Sequence, residues 1–412
     1  MTTLREQLAA AVGAESVDEL GDPVGLRVAP RSAAEVAEVV RRTAAAGGAV
    51  YPVGAGGRPG QAHDPRPRVF ISTRRLDQVL QIDEQSMLVH VQAGVTGLEL
   101  ERVLAPRGLS VGDYPPVVLT SSIGGILAVR TPGKSSARHG FFEEAVAGVS
   151  AVLADGRTVH TRVAPRRSTG PDFARALCGS EGTIGFITSA VLRVHARPEA
   201  RLVAAYRLSS IDAAVSAVYL ALREEAEPSG LRIYDAAEAA RHFAGLPGMP
   251  LRDGEVLLCA ATAGPTDLAA CDRDLITSAV LAEGGAIAEH ALADLWWRRL
   301  HAGEPTPAPS PTLQIMASPG KLRAVYHAVA ATAVERAASL RTHISRFDAD
   351  GAVMFFTLDP GDDVTCAHAE RSAEGAGGWL LGARAVKLDP YLRSLRDSLD
   401  PNIVLNPGTL AT

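Results

Sequence analysis

The stretch Ala49-Val50-Tyr51-Pro52-Val53-Gly54-Ala55-Gly56-Gly57-Arg58-Pro59-Gly60 decides how this chain is read. Its first residues, Ala49–Pro52, form a short apolar run that reads as a buried strand. The run opens into a glycine-rich loop, where backbone N–H groups can converge on a phosphate without help from a lysine. The loop lacks the Lys-Ser/Thr of a P-loop and does not match G-x-G-x-x-G followed by a helix. Taken alone it fits an anion cradle and a tight connection equally well. Two more clusters of small residues lie further along, Thr120-Ser121-Ser122-Ile123-Gly124-Gly125 and Gly179-Ser180-Glu181-Gly182-Thr183-Ile184-Gly185. Each can be turn chemistry. Three of them in one region raise the prospect of a large cofactor bearing a polyphosphate.

Around these clusters the first half alternates short helices and strands. Ser32 with Glu35, and Thr96 with Glu99, have capping-box spacing; the first helix stops at Gly47-Gly48 and the second near Gly108. Val69–Ser72, Val79–Asp83 and Leu88–Gln92 read as strands. Gly148–Ala154 and Thr158–Thr161 form a hairpin about Asp155-Gly156. A short helix is expected from about Pro171, followed by a strand over Gly182–Val194. Pro198 marks the expected end of a first domain. Beyond it the sequence predicts long helices (Ile211–Glu225, Thr266–Glu283, Lys321–Leu340) among strands (Val203–Leu208, Glu255–Ala261, Ala352–Leu358), an α+β pattern. Glu304–Pro311 is too rich in proline for regular structure.

Composition excludes several classes. At 412 residues, with 47% hydrophobic and 21% charged residues, the chain has ample material for folded cores. A net charge of -5 argues against nucleic acid as a partner. Only Lys134, Lys321 and Lys387 are lysines, so arginine carries nearly all of the positive charge. Cys178, Cys259, Cys271 and Cys366 are far apart, which predicts reduced thiols and no zinc site. The N-terminus lacks a signal-peptide pattern and no run is long enough to span a bilayer, so a cytoplasmic location is expected. The oligomeric state, a homodimer included, is left open.

The strings P-V-G-A-G-G (52–57), V-Q-A-G-V-T (91–96), S-S-I-G-G (121–125) and G-S-E-G-T-I-G-F-I-T (179–188) resemble, in order and spacing, the PCMH-type FAD-binding domain of the vanillyl-alcohol oxidase family. The closing L-D-P-N-I-V-L-N-P-G (399–408) is similar to that family's C-terminal signature. Arg166–Phe173 with the third cluster, and Gly230–Asp235, look most like the alkyldihydroxyacetonephosphate synthase and FAD-linked oxidase branch. The resemblance implies an α+β fold: a two-subdomain FAD-binding domain (1–198), an α+β cap with an antiparallel sheet flanked by helices (199–375), and a C-terminal segment (376–412) returning to the first domain. It implies non-covalent FAD, because the first glycine loop holds Arg58 and has no histidine before His63. Pro52, Gly54, Ala55, Gly56, Gly57, Arg58 and Pro59 would face the diphosphate. Pro115, Thr120, Ser121, Ser122, Gly124 and Gly125 would line the flavin, and Glu181, Gly182, Thr183 and Ile187 would contact it from a strand edge.

The activity implied is that of an FAD-dependent oxidoreductase moving a hydride from a small hydroxylated, anionic substrate to flavin N5. Histidine suits the proton-accepting role at neutral pH. His139, placed by the resemblance near the ring, and His343, on an expected cap strand, are the candidates. Alternation along that strand puts Ser345 on the face of His343 and Arg346 on the other. Arg232 and Arg384 are candidates for gripping a substrate anion, since a guanidinium holds a carboxylate or phosphate in a bidentate fork; a surface ion pair with Asp235 is the competing role for Arg232. Ser345-Arg346-Phe347 stands where the family often has histidine or tyrosine. No histidine follows His368, whereas the synthase carries a histidine cluster there. A synthase-like transferase using FAD without net redox, and a catalytically silent flavoprotein subunit, are the alternatives.

Overall fold

The computed structural model describes residues 2–21, 25–55, 64–112, 116–130, 136–140, 142–163, 170–301, 312–381 and 390–409. Within them the helix Ala33–Ala45 buries Val36, Val39 and Val40. The Ser32 hydroxyl accepts from the Glu35 N–H, but the Glu35 carboxylate reaches one residue further back than a capping box requires, to the Arg31 N–H at 2.7 Å. The helix packs on a sheet ordered Val17–Glu19, Leu26–Val28, Arg68–Ser72, Ala49–Val53; only the first pair is antiparallel.

A second, wholly antiparallel sheet runs Val79–Asp83, Leu88–Gln92, Phe186–Arg193, Val146–Val152, Thr158–His160. Period-two alternation sends Val89, Val91, Val149, Ala151, Ala190 and Leu192 inward. Two expected boundaries move. The helix begins at Phe173, not near Pro171, because the Asp172 carboxylate caps it by accepting from the Ala174 and Arg175 N–H groups. The strand begins at Phe186, because Glu181 and Gly182 turn through positive φ first. The two sheets are joined at Ala93-Gly94. Ala93 donates to the Thr188 carbonyl at 2.9 Å, Gly94 donates to that of Leu76 at 2.8 Å, and Gly124 donates to that of Ala93 at 2.8 Å. A Cβ on Gly94 would lie 1.8 Å from the Thr73 carbonyl oxygen, so only glycine admits this crossing.

After Pro198 the chain enters an eight-stranded antiparallel sheet. Its order is Ala286–Ile287, Ala200–Leu208, Val256–Gly264, Gly230–Asp235, Ser339–Ser345, Ala352–Asp359, Leu313–Ala317, Trp379–Leu381. Helices Ile211–Arg223, Thr266–Ala282, Leu322–Glu335 and Asp363–Gly375 cover one face, burying Ile233, Ile344, Met354 and Ile315. Part of the other face is closed by Ala236–Phe243 and His290–His301, the latter bringing Trp296 onto the cluster of Tyr234, Leu257 and Cys259. The helix expected to reach Leu340 stops at Glu335. Ala337 turns left-handed (φ 52°), the Ala338 N–H caps the Ala333 carbonyl, and a strand begins at Ser339. An alanine fills the place where glycine normally announces such a stop, so the sequence gives no warning.

The end of the chain returns to the first sheet. Val50 donates to the Val404 carbonyl, Asn406 donates to that of Val50, and Leu405 bridges Val50 in parallel. Asp400, 1% exposed, accepts from the Val404 and Leu405 N–H groups at 2.8 and 2.7 Å. Among the described residues no helix is long and apolar enough to cross a membrane. Replacing Asp400 by alanine leaves two buried N–H groups without an acceptor; we expect a loss of about 3 kcal/mol in urea-monitored unfolding, with asparagine recovering part of it.

Candidate functional site

The three small-residue clusters converge. Pro52, Gly54, Gly124, Gly125, Glu181, Gly182 and Ile187 line one cavity of about 200 Å³, together with Thr73, Gly185, Phe186, Ala128 and Asn406. Gly182 holds φ 78°, and a Cβ there would meet the Pro52 ring at 2.7 Å, so this turn presses against the first glycine loop only without a side chain. Glu181 donates its N–H to the Ala128 carbonyl, and its own carbonyl accepts from the Asn406 side-chain amide. Burial raises the Glu181 pKa above its ordinary value.

Other expected residues serve the walls. Ser122, 1% exposed, caps the helix Ile123–Ala128 by accepting from the Gly125 N–H. Thr183 spends its hydroxyl on the Ser180 carbonyl at 2.7 Å, and Ser121 offers its carbonyl to Gly97. Ala55 and Thr120 are exposed. Gly56, Gly57, Arg58, Pro59, Pro115 and Arg384 lie outside the described residues. Another cavity, of about 420 Å³, lies on the outer face of the antiparallel sheet beside His90, Ser150 and His160, and holds none of the expected residues.

His139 lines a separate cavity of about 250 Å³ with Arg138, Ser229 and Gly264, where the first domain's chain meets the large sheet. Its ring stacks on His195 at 3.8 Å. Burial, then His195 and Arg138, lower its pKa to about 3. His139 is therefore neutral at pH 7 and available to accept a hydrogen bond.

Arg232 and His343 do come together, on the open part of the large sheet's second face. Arg232 pairs in register with Ser345, and Tyr234 with His343. Arg232 lies over the Tyr234 ring, 5.8 Å from its centroid. It makes no ion pair with Asp235, which points to the other face and caps the helix Ala236–Phe243. His343 is not an exposed strand residue: it stacks on Phe355 at 4.5 Å, with Glu238 3.8 Å from its Nδ1. Burial lowers the His343 pKa to about 4, with Arg232 acting in the same direction. Burial alone would raise the Glu238 pKa, but its hydrogen bond from His242 and the nearby His343 hold it below the usual carboxylate range. Arg346 overturns simple alternation, because its own φ of 58° returns the side chain to this face, over Phe355. Tyr234, Phe355 and Glu238 were not singled out from the sequence. Tyr234 was within reach by alternation with Arg232; Phe355 needed the strand pairing.

Residues 25–162 match the model of an FAD binding domain, and residues 197–389 that of the C-terminal domain of FAD-linked oxidases. The chain carries both domains. FAD is the cofactor they take. The chain is 33% identical to alkyldihydroxyacetonephosphate synthase of Dictyostelium discoideum over 226 residues, which is 54% of this chain and 37% of that protein. It is 29% identical to a glycolate oxidase subunit of Bacillus subtilis over 163 residues, 39% of this chain and 35% of that one. The matches thus span little more than a third of these curated relatives' length. A solved structure of an alkyldihydroxyacetonephosphate synthase superposes with TM-score 0.74 at 23% identity, covering 99% of this chain and 79% of that one. That likeness shows the PCMH-type fold. The residues present suit FAD: the glycines of the cavity wall let backbone approach a ligand closely, and Thr73, Glu181 and Asn406 add polar groups among its apolar side chains.

The depressed pKa of His139 gives a sign for its effect on stability. A histidine kept neutral by folding stabilises the fold fully above its ordinary value of 6.5. That contribution is lost as the pH falls toward about 3, because the unfolded chain takes the proton first. Between about pH 7 and 5 the urea midpoint of His139→Gln should therefore fall less than that of the unmodified protein. Equal falls would mean that His139 is not buried as described.

Proposed function

We propose that the protein is an FAD-dependent oxidoreductase that oxidises a small hydroxylated substrate carrying a negative charge. The observation that carries this reading is the cationic, half-buried patch on the large sheet, where Arg232 stands beside a neutral histidine, His343. Bound FAD supplies a hydride acceptor at N5. Pro52, Gly54, Gly124, Gly125, Glu181, Gly182 and Ile187 would hold it, by close backbone approach. Arg232 orients the substrate through its anionic group, in the fork geometry of a guanidinium. The imidazole of His343, neutral at pH 7, accepts the hydrogen bond of the substrate hydroxyl and draws off its proton; Glu238 lies behind its Nδ1 to stabilise the positive charge this creates. Tyr234 and Phe355 keep water from this strip. His139 lines a separate polar cavity and stays neutral there, and Arg384 is a second candidate for the anion.

This reading places the protein in the vanillyl-alcohol oxidase family, with the first domain, cap and returning segment divided near residues 198 and 375. The likeness to alkyldihydroxyacetonephosphate synthase favours a second reading, a transferase using FAD without net redox. The absence of any histidine after His368 counts against it.

Denaturing the yellow protein should release FAD without proteolysis. Anaerobic mixing with a panel of hydroxy acids, alcohols and phosphorylated ketones should then bleach the flavin with one hydroxylated anion; ether formation without net oxidation would instead favour the transferase. For the substrate that bleaches it, Arg232→Gln should raise KM about 10- to 100-fold, the loss of a charge-assisted hydrogen bond. His343→Gln should mainly lower kcat, by about 100-fold or more.

A further inference from the structure

Arg346 ends the strand Ser339–Ser345 in the left-handed conformation, φ 58°. That conformation is strained for a residue with a side chain. Its effect is to lay the guanidinium over the Phe355 ring, 5.1 Å from the centroid. Phe355 stacks on His343, and the His343 ring lies 6.0 Å from that of Tyr234, which sits beneath Arg232. Two guanidinium groups thus flank one aromatic strip. Among the described residues neither forms an ion pair. Glu238, the carboxylate beside this strip, is engaged by His242 and Arg341. The two cations feel each other: burial, and then Arg232, lower the Arg346 pKa to about 10. A left-handed backbone and an uncompensated pair of like charges persist when the surrounding fold enforces them, and such strain gathers at ligand sites.

We infer that Arg232 and Arg346 together grip a doubly charged group, so that the protein selects dianionic hydroxylated compounds over monoanionic ones. The inference rests on the reading of Arg232 as the residue that holds the substrate's anion, and adds to it a second guanidinium and the charge of the ligand. A lone carboxylate would leave one of two half-buried cations unmatched, whereas a phosphate monoester or a dicarboxylate neutralises both.

The test compares matched probes on the FAD-loaded protein at about pH 8, where a phosphate monoester is a dianion. Malate is set against lactate, and glycerol 3-phosphate against glycerate. Binding is read from the flavin absorbance and, independently, from the melting temperature. In at least one pair the dianion should bind about tenfold more tightly, as expected for one added charge-assisted contact. In Arg346→Gln that preference should shrink to about threefold or less with monoanion binding kept within about twofold, and Arg346→Lys should restore part of it. The pair that responds tells phosphate from dicarboxylate. An unmodified protein without preference in either pair, including one that binds none of the four, overturns the inference. So does an Arg346→Gln protein that keeps the full preference. Since these readouts need no turnover, a protein that prefers dianions but never bleaches defeats the oxidoreductase reading and leaves this one intact.

Discussion

The crossing of backbone at Ala93-Gly94 is the constraint on which the cofactor-binding half depends. Three backbone hydrogen bonds meet there, tying the turn after the first sheet, a central strand of the second sheet, and the helix that begins at Ile123. Nothing bulkier than hydrogen fits on Gly94. Because the joint is made of main chain, its geometry does not depend on side-chain rotamers, and it fixes where the walls of the neighbouring cavity stand. The clusters at Gly54, Thr120 and Gly179 are far apart in sequence, yet their meeting follows from this one junction and from the press of the Gly182 turn against Pro52.

The large sheet works by a different logic. One face is lined mainly by apolar side chains and is covered by four helices. The other is closed at one end only, by Ala236–Phe243 and His290–His301, and the rest carries arginine, histidine and aromatic side chains. Burial dominates the chemistry there: it pushes His343 toward its neutral form and makes unpaired guanidinium groups costly. The proposed substrate chemistry draws on both halves, a shaped cavity in one and charge on the other.

Much of this was legible in the sequence where a local rule applies. The Thr96–Glu99 capping box, the Asp155-Gly156 hairpin and the stop at Gly47 each depend on residues a few positions apart, and each stands in the structure. The glycine clusters were legible as a group, although Gly94 and Gly182 turn out to be required by packing as much as by any ligand. What escaped notice had no local signal. Ala337 ends a helix where glycine was due, Arg346 leaves the alternation of its strand, and Phe355 meets His343 only through a pairing between strands. Thr73 and Asn406 reach the cavity from segments whose sequence reads as ordinary turns.

Asn406 reaches Glu181 across 225 residues, and the turn held by Asp400 lies along Val50. The cavity wall is therefore finished by residues made long after the turn they touch. Until they dock, the edge of Ala49–Val53 is bare and the Glu181 carbonyl lacks its partner. Folding of the first half can run ahead during synthesis, but the cavity is fully walled only once the segment around Asp400 and Asn406 has been made and has docked.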